Sequence, residues 1–278
     1  MPRTPVSVDI SGQLLFLGTG TSHGVPMVGC DCEVCTGGNP KNNRMRCGAV
    51  VGLPQGNLLI DTPVDLRSQL LREKIGLVQA VVYTHEHADH LFGLDDLRLF
   101  PHYTGEPVPV YCEPRVEHRI RQSFSYVFDA ELQAKARDRL PQLQLLPLGL
   151  EPVSILGAQV LPIRLWHGDM AVLGFRIGNL AYCTDTNRIP DESWPRLQGL
   201  DVLILDCLRP DPHPTHFSLA EAIETAQRIG ARRTLFTHMT HNLDHDETNR
   251  LLPAGMELAY DGLRVPLTGL KLGSGLIR

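Results

Sequence analysis

Between Thr84 and His90 the chain reads Thr84-His85-Glu86-His87-Ala88-Asp89-His90, which gathers three imidazoles and the Asp89 carboxylate into six positions. Upstream, Val78-Gln79-Ala80-Val81-Val82-Tyr83 is a short apolar, β-branched run, the pattern of a buried strand. Downstream, Leu91-Phe92-Gly93-Leu94-Asp95-Asp96-Leu97 reads as the start of a helix. Imidazole nitrogen and carboxylate oxygen are ligands for first-row metals, and imidazole suits zinc. The residues between these groups are small or polar, as expected where side chains converge on one point. The bland alternative is a solvated His-rich turn. A strand-then-helix context favours a metal site over it.

His85-x-His87-x-Asp89-His90 resembles the signature of the metallo-β-lactamase-fold hydrolases. That resemblance implies further ligands at later strand ends, and matching residues follow in order. His167 closes the apolar run Gln159 to Trp166, Asp185 lies in Tyr182-Cys183-Thr184-Asp185-Thr186, and His238 follows Thr234-Leu235-Phe236-Thr237. By the family pattern His85, His87 and His167 hold a first metal, Asp89, His90 and His238 a second, and Asp185 bridges the two. The resemblance covers essentially the whole chain. It implies an α/β fold, an αββα sandwich of two mixed β-sheets flanked by helices.

A length of 278 residues admits one large or two small domains. No low-complexity linker or charge block divides it, so the sequence reads as a single domain over 1–278, with a cysteine-rich loop at about 29–36. The apolar share, 42%, supplies a sizeable core. A formal net charge of −5 argues against a nucleic-acid partner, which usually needs a basic face. No run approaches the about 18 apolar residues of a membrane span. The opening Met1-Pro2-Arg3-Thr4-Pro5 leads into polar residues rather than a secretory core, which predicts a cytoplasmic protein.

In a reducing compartment, cysteines are ligands or buried thiols before they are disulfides. Three of the seven lie within Cys30-Asp31-Cys32-Glu33-Val34-Cys35, a compact knuckle. A tetrahedral structural zinc there needs a fourth ligand. His241, three residues past His238, is the candidate, with His245 as the runner-up. The alternative is three free buried cysteines.

Along the rest of the chain, Gln13–Leu17, Cys47–Leu53, Asn57–Ile60 and Val108–Tyr111 have strand character. So do Gln159–Leu165, Val172–Ile177, Asn179–Cys183, Asp201–Asp206 and Arg233–Thr237. Helical spacing appears over Leu66–Ile75, Pro114–Arg121 and Ser218–Ile229, the last opening on a Ser218/Glu221 capping box. Residues 18–26 form a Gly-rich loop that is either a phosphate cradle or a tight turn, and the resemblance favours a loop bordering the site. Asp61 is either an outer carboxylate orienting a metal-bound His or a turn cap. The aromatic cluster Phe124, Tyr126, Phe128 fits core packing better than a lid or a dimer contact, and Glu131–Arg139 reads as a solvated face.

A two-metal centre serves phosphodiester hydrolysis by acidifying water, polarising the scissile group and stabilising charge on attacking and leaving oxygens. A proton donor is also needed. His216 sits before a helix N-terminus, whose dipole is expected to lower its pKa, and is the candidate general acid. His213 is an alternative, Asp89 a possible second acid–base group, and Arg209 either a phosphate clamp or a solvated cation. The knuckle, the Gly-rich loop and the His before a helix resemble the phosphoribosyl 1,2-cyclic phosphate phosphodiesterases of the carbon–phosphorus lyase pathway. That branch implies a small cyclic phosphodiester substrate, two catalytic divalent metals (zinc or manganese), one structural zinc and a homodimer. The stretch Glu131–Arg139 does not match it. The rivals are a tRNase Z-like endonuclease, for which no basic arm is visible, and a metal-binding scaffold without turnover.

Overall fold

The computed structural model describes residues 5–136 and 139–270. Among the described residues fourteen strands build two seven-stranded sheets. In the first half they are β1 (Gln13–Gly18), β2 (Gly48–Leu53), β3 (Gly56–Ile60), β4 (Ala80–Val82), β5 (Val108–Cys112) and β6 (Leu143–Pro147). In the second they are β7 (Val153–Ile155), β8 (Ala158–His167), β9 (Met170–Ile177), β10 (Leu180–Cys183), β11 (Val202–Asp206), β12 (Arg233–Thr237), β13 (Met256–Leu258) and β14 (Arg264–Pro266). One sheet has the order β14-β1-β2-β3-β4-β5-β6 and the other β13-β12-β11-β10-β9-β8-β7.

The sheets stack face to face because their strands are apolar on both sides. Leu14 and Phe16 of β1, Ala49 and Val51 of β2, and Val202 and Ile204 of β11 share the core between the sheets. Their neighbours Leu15, Leu17 and Val50 turn the other way and pack under the helices Leu66–Glu73 and Pro114–Ser123. Leu203 and Leu205 pack under the helix Leu219–Ile229. Sheets covered on both faces read as continuous apolar runs. The result is the αββα sandwich and the mixed sheets expected from the sequence. No helix among the described residues is long and apolar enough to cross a membrane.

The two sheets repeat one plan. From β1 to β6 successive pairings run antiparallel, antiparallel, then parallel three times. From β8 to β13 the sequence of pairings is the same. β14 and β7 each add one antiparallel strand beside the first strand of a repeat.

Several elements differ from the sequence reading. The helix after the His-rich motif begins inside it, at Ala88–Leu91, and gives way to a 3-10 turn over Leu94–Leu99. The strand β6 goes unread because it is an edge strand with a half-exposed pattern, and β7, β13 and β14 have only three residues each. Phe124 and Val127 are buried in the core under the first sheet, so the aromatic cluster is packing. Ala130–Ala136 is a helix, and the rest of the unmatched stretch includes residues 137 and 138, which lie outside the described residues. The Ser218/Glu221 capping box is present, with both reciprocal hydrogen bonds.

The Gly-rich loop leaves β1 in close packing against its neighbours. A Cβ on Gly18 would stand 2.0 Å from the Arg46 carbonyl oxygen. Gly18→Ala is therefore expected to cost about 1–3 kcal/mol, as overpacking does. Urea denaturation checks it: the midpoint falls with the slope unchanged.

Candidate metal centre

The histidines and carboxylates singled out in the sequence converge on one rim, at the carboxyl ends of β3, β4, β8, β10, β11 and β12. One ligand atom each from Asp89, His90, Asp185 and His238 lies within 4.8 Å of the others, as does one from each of His85, His87 and Asp185. His167 and His216 form a third such group with Asp185, so that carboxylate stands at the centre of the cluster. Its Oδ1 is 3.2 Å from His90 Nε2, and its Oδ2 is 3.3 Å from His238 Nε2 and 3.6 Å from His85 Nε2.

Outer partners fix the tautomers. Asp61 follows β3 and is fully buried. Its Oδ2 accepts from Thr84 Oγ1 at 2.7 Å and from His90 Nδ1 at 2.8 Å. The Thr84 hydroxyl proton is thus spent on Asp61, so its oxygen, 2.9 Å from His85 Nδ1, accepts the N–H of that ring. His167 Nδ1 donates to the Thr215 carbonyl at 2.8 Å. In each of these three rings Nε2 is left facing the centre. This is how ligating imidazoles are held in metal proteins. Asp61 therefore acts as an orienting carboxylate rather than as a turn cap.

The residues fit bound metal on two grounds. The Nε2 atoms of His85, His90 and His238 are buried and make no hydrogen bond. An unsatisfied buried polar atom costs about 1–3 kcal/mol, a cost that coordination removes. The charge balance points the same way. Burial drives His85, His87 and His167 below the ordinary imidazole range, leaving neutral rings with free lone pairs. Burial also opposes charge on His90, but Asp185 and Asp89 lift it well above that range. Burial would raise Asp185 too, yet His238 and His90 hold it well below the carboxylate range. The rim thus carries an ionised carboxylate cluster that calls for positive charge.

Backbone strain marks the same residues. Asp61, Asp185 and His238 have φ of 63°, 50° and 63°, the left-handed region that side chains avoid. Such conformations concentrate at functional sites and persist where surrounding contacts over-determine them. Asp61 and Asp185 also sit at corresponding places in the two repeats, at the carboxyl ends of β3 and β10.

His216 joins the rim from the loop before the helix Leu219–Ile229. Its ring is 4.5 Å from that of His167 and stacks on His238 at 4.7 Å. Its Nδ1 is 3.0 Å from Asp206 Oδ1, and Asp206 Oδ2 accepts the Phe217 N–H at 3.0 Å. Burial works against a charged ring, but the charge and hydrogen bond of Asp206 override it and raise His216 to about 9. The expectation of a pKa lowered by the helix dipole is corrected: a carboxylate in contact outweighs a helix end. Asp206 is the residue the sequence reading left without a role, and its signal was a carboxylate closing the buried strand Val202–Leu205. His213 lies one layer out, its ring 5.2 Å from that of His216. Arg209 donates its Nε and one Nη to the carbonyls of Asp211 and Pro212.

The knuckle closes on His241. The His241 Nδ1 stands 3.2 Å from the sulfurs of Cys30 and Cys32 and 3.5 Å from that of Cys35. Tetrahedral zinc with ordinary bond lengths sets sulfur and nitrogen ligands about 3.5 Å apart. The four residues fit such an ion. His245 is elsewhere: it is buried against Tyr260, ring to ring at 5.8 Å, and opens the helix His245–Leu251. The Gly-rich loop lies between knuckle and rim, where Thr21 N–H donates to the Met239 carbonyl and Met239 N–H to the Thr19 carbonyl. It thus braces the turn that carries His238, as a loop bordering the site.

Comparison with known proteins agrees with this architecture. Residues 56–239 match the β-lactamase superfamily domain. A crystal structure described as a new diphosphatase from the PhnP family is 42% identical, with a TM-score of 0.85 over 91% of this chain and 96% of that one. Zn(2+)-bound PqqB from Methylobacterium extorquens shares the fold at 21% identity and a TM-score of 0.71, over 92% of this chain and all of that one. An octanoyltransferase of Porphyromonas gingivalis is 35% identical over 253 residues, 90% of this chain. The chain spans only half the length of that protein. On the fold, the rim and these matches together, the chain belongs to the metallo-β-lactamase-fold hydrolases of the β-lactamase superfamily and, within them, to the PhnP family.

Proposed function

We propose that the chain is a dinuclear-metal-dependent phosphodiesterase that hydrolyses a small cyclic phosphate, such as phosphoribosyl 1,2-cyclic phosphate, to a phosphomonoester. His85, His87 and His167 would hold one ion, Asp89, His90 and His238 the other, with Asp185 between them. Zinc or manganese held there supplies Lewis-acid stabilisation of the charge that develops on phosphoryl oxygens.

The observation that carries the reading is the Asp206–His216 pair beside this cluster. With Nδ1 held by Asp206, His216 presents Nε2 to the rim, and its raised pKa keeps it protonated at neutral pH. That is what delivery of a proton to a departing alkoxide requires. Asp89 is held well below the carboxylate range: burial opposes its charge, but His90 and His238 prevail. An ionised carboxylate is what a ligand to the second ion must be. His241 and the cysteines of the knuckle would hold a structural zinc, remote from the chemistry.

A second reading is supported by the 42% identical relative, which is described as a diphosphatase. Cleavage of a diphosphate uses the same charge stabilisation and the same proton donor. Both readings take a small phosphate ester or anhydride, not nucleic acid, in a cytoplasmic protein that works as a homodimer. The experiment is phosphorus NMR of the metal-loaded protein with phosphoribosyl 1,2-cyclic phosphate, a dinucleoside diphosphate and a precursor tRNA in parallel. Ring opening supports the first reading and diphosphate cleavage alone the second. tRNA trimming would move the assignment to an endonuclease, and no turnover of any of the three to a metal-binding scaffold.

Because His216 is held protonated up to about pH 9, activity that depends on it is kept through neutrality and lost as pH rises past that pKa. Asp206→Asn removes the carboxylate that holds the proton, so the alkaline limb of the kcat profile is expected at lower pH. An unmoved limb would assign the proton to another group. Cys32→Ser should release about one zinc per chain and lower the thermal midpoint, because structural zinc contributes directly to folding. Metal analysis beside calorimetry checks it.

A further inference from the structure

Beneath the rim lies a polar knot inside the otherwise apolar core between the sheets. Its middle is Cys47, the residue before β2, with no exposed surface. The Cys47 sulfur is 3.3 Å from the Tyr182 hydroxyl, 3.3 Å from Thr237 Oγ1 and 3.6 Å from Thr184 Oγ1. All three hydroxyl-bearing residues are fully buried. Cys112, Cys183 and Cys207 are also buried but make no side-chain hydrogen bond among the described residues. Cys47 is therefore more than a small apolar filler.

Its partners sit next to the two strained residues of the second repeat. Thr184 precedes Asp185 and Thr237 precedes His238, and both of the latter have positive φ. The protons can be followed through the knot. Thr184 Oγ1 donates to Asp185 Oδ1 at 2.8 Å, so it has only acceptor capacity left. The single Cys47 S–H then satisfies Thr184, and the sulfur accepts from Tyr182 and Thr237. Every donor has an acceptor, and the chain of dipoles ends on the carboxylate at the centre of the rim.

We propose that Cys47 is a positioning residue for the metal centre: its thiol ties the ends of β10 and β12 together and, through Thr184, sets the orientation of Asp185. This rests on the reading of the rim as a metal centre. Outer partners of this kind typically change metal affinity about 10- to 100-fold when removed.

The test is titration of the metal-free full chain with Co2+, whose spectrum separates the two kinds of site. Thiolate charge-transfer bands report the knuckle, and d–d bands without them report the imidazole–carboxylate centre. Cys47→Ala is expected to weaken Co2+ at that centre by about 10- to 100-fold and to shift its d–d bands, with the knuckle bands unchanged. Cys47→Ser, similar in size to Ala but able to bond, is expected to restore wild-type affinity and bands. Thr184→Val, which cuts the link and leaves the thiol, should repeat the loss seen in Cys47→Ala. Wild-type affinity in Cys47→Ala overturns the proposal, as does Cys47→Ser falling as far as Cys47→Ala, since volume alone would then explain the site. Absence of the imidazole–carboxylate bands in the wild-type chain would instead overturn the reading of the rim itself.

Discussion

One buried carboxylate organises the rim. Asp61 accepts from the Thr84 N–H, the Thr84 hydroxyl and His90 Nδ1, and through Thr84 it also sets His85. Burial pushes its carboxyl above the ordinary range, and His90 and Thr84 offset that only in part. A carboxylate placed there can be tolerated only while those donors stay in place, because an unpaired buried charge is far more costly than an exposed one. The loop from β4 into the helix Ala88–Leu91 is held by that requirement, and the ligand geometry follows from it.

The second repeat solves the same problem with different residues. Asp185 occupies the strand-end position that Asp61 occupies in the first, but it faces the centre and meets His85, His90 and His238. Its support comes from below, through Thr184. Asp206, one strand over, steadies His216 and lies 3.7 Å from His238 Nδ1. Two copies of one strand plan thus yield an orienting carboxylate on one side and a central one on the other.

Much of this was legible because residues able to ligate metal are chemically conspicuous and their spacing is local. His85, His87, Asp89 and His90 declare themselves, and His167, Asp185 and His238 follow strand-like runs that the sheets later confirm. His241 could be chosen over His245 because it follows His238 by three residues, within reach of the knuckle. Other features resisted. The pKa of His216 depends on Asp206, ten residues away in sequence, and no local signal links them. The edge strand β6 lacks alternation because neither face is fully covered. The knot around Cys47 joins residues up to 190 positions apart, a separation that no single-sequence pattern expresses. Backbone strain at Asp61, Asp185 and His238 is likewise invisible, since Asp and His reach a positive φ more readily than most side chains yet still only rarely.

The division of the rim between repeats bears on how the chain assembles. Most strand pairings join segments close in sequence within one repeat, whereas β14 returns to β1 and the Cys30 sulfur meets His241 across 211 residues. Local pairings close early and long loops close late, since the entropy of closure must be met before distant contacts form. The proposed ligands His85, His87, Asp89 and His90 belong to the first repeat, and His167, Asp185 and His238 to the second. An ion held by these residues would act as a clasp: it would bind tightly only once the halves had docked, and its free energy would add to the stability of that docked state.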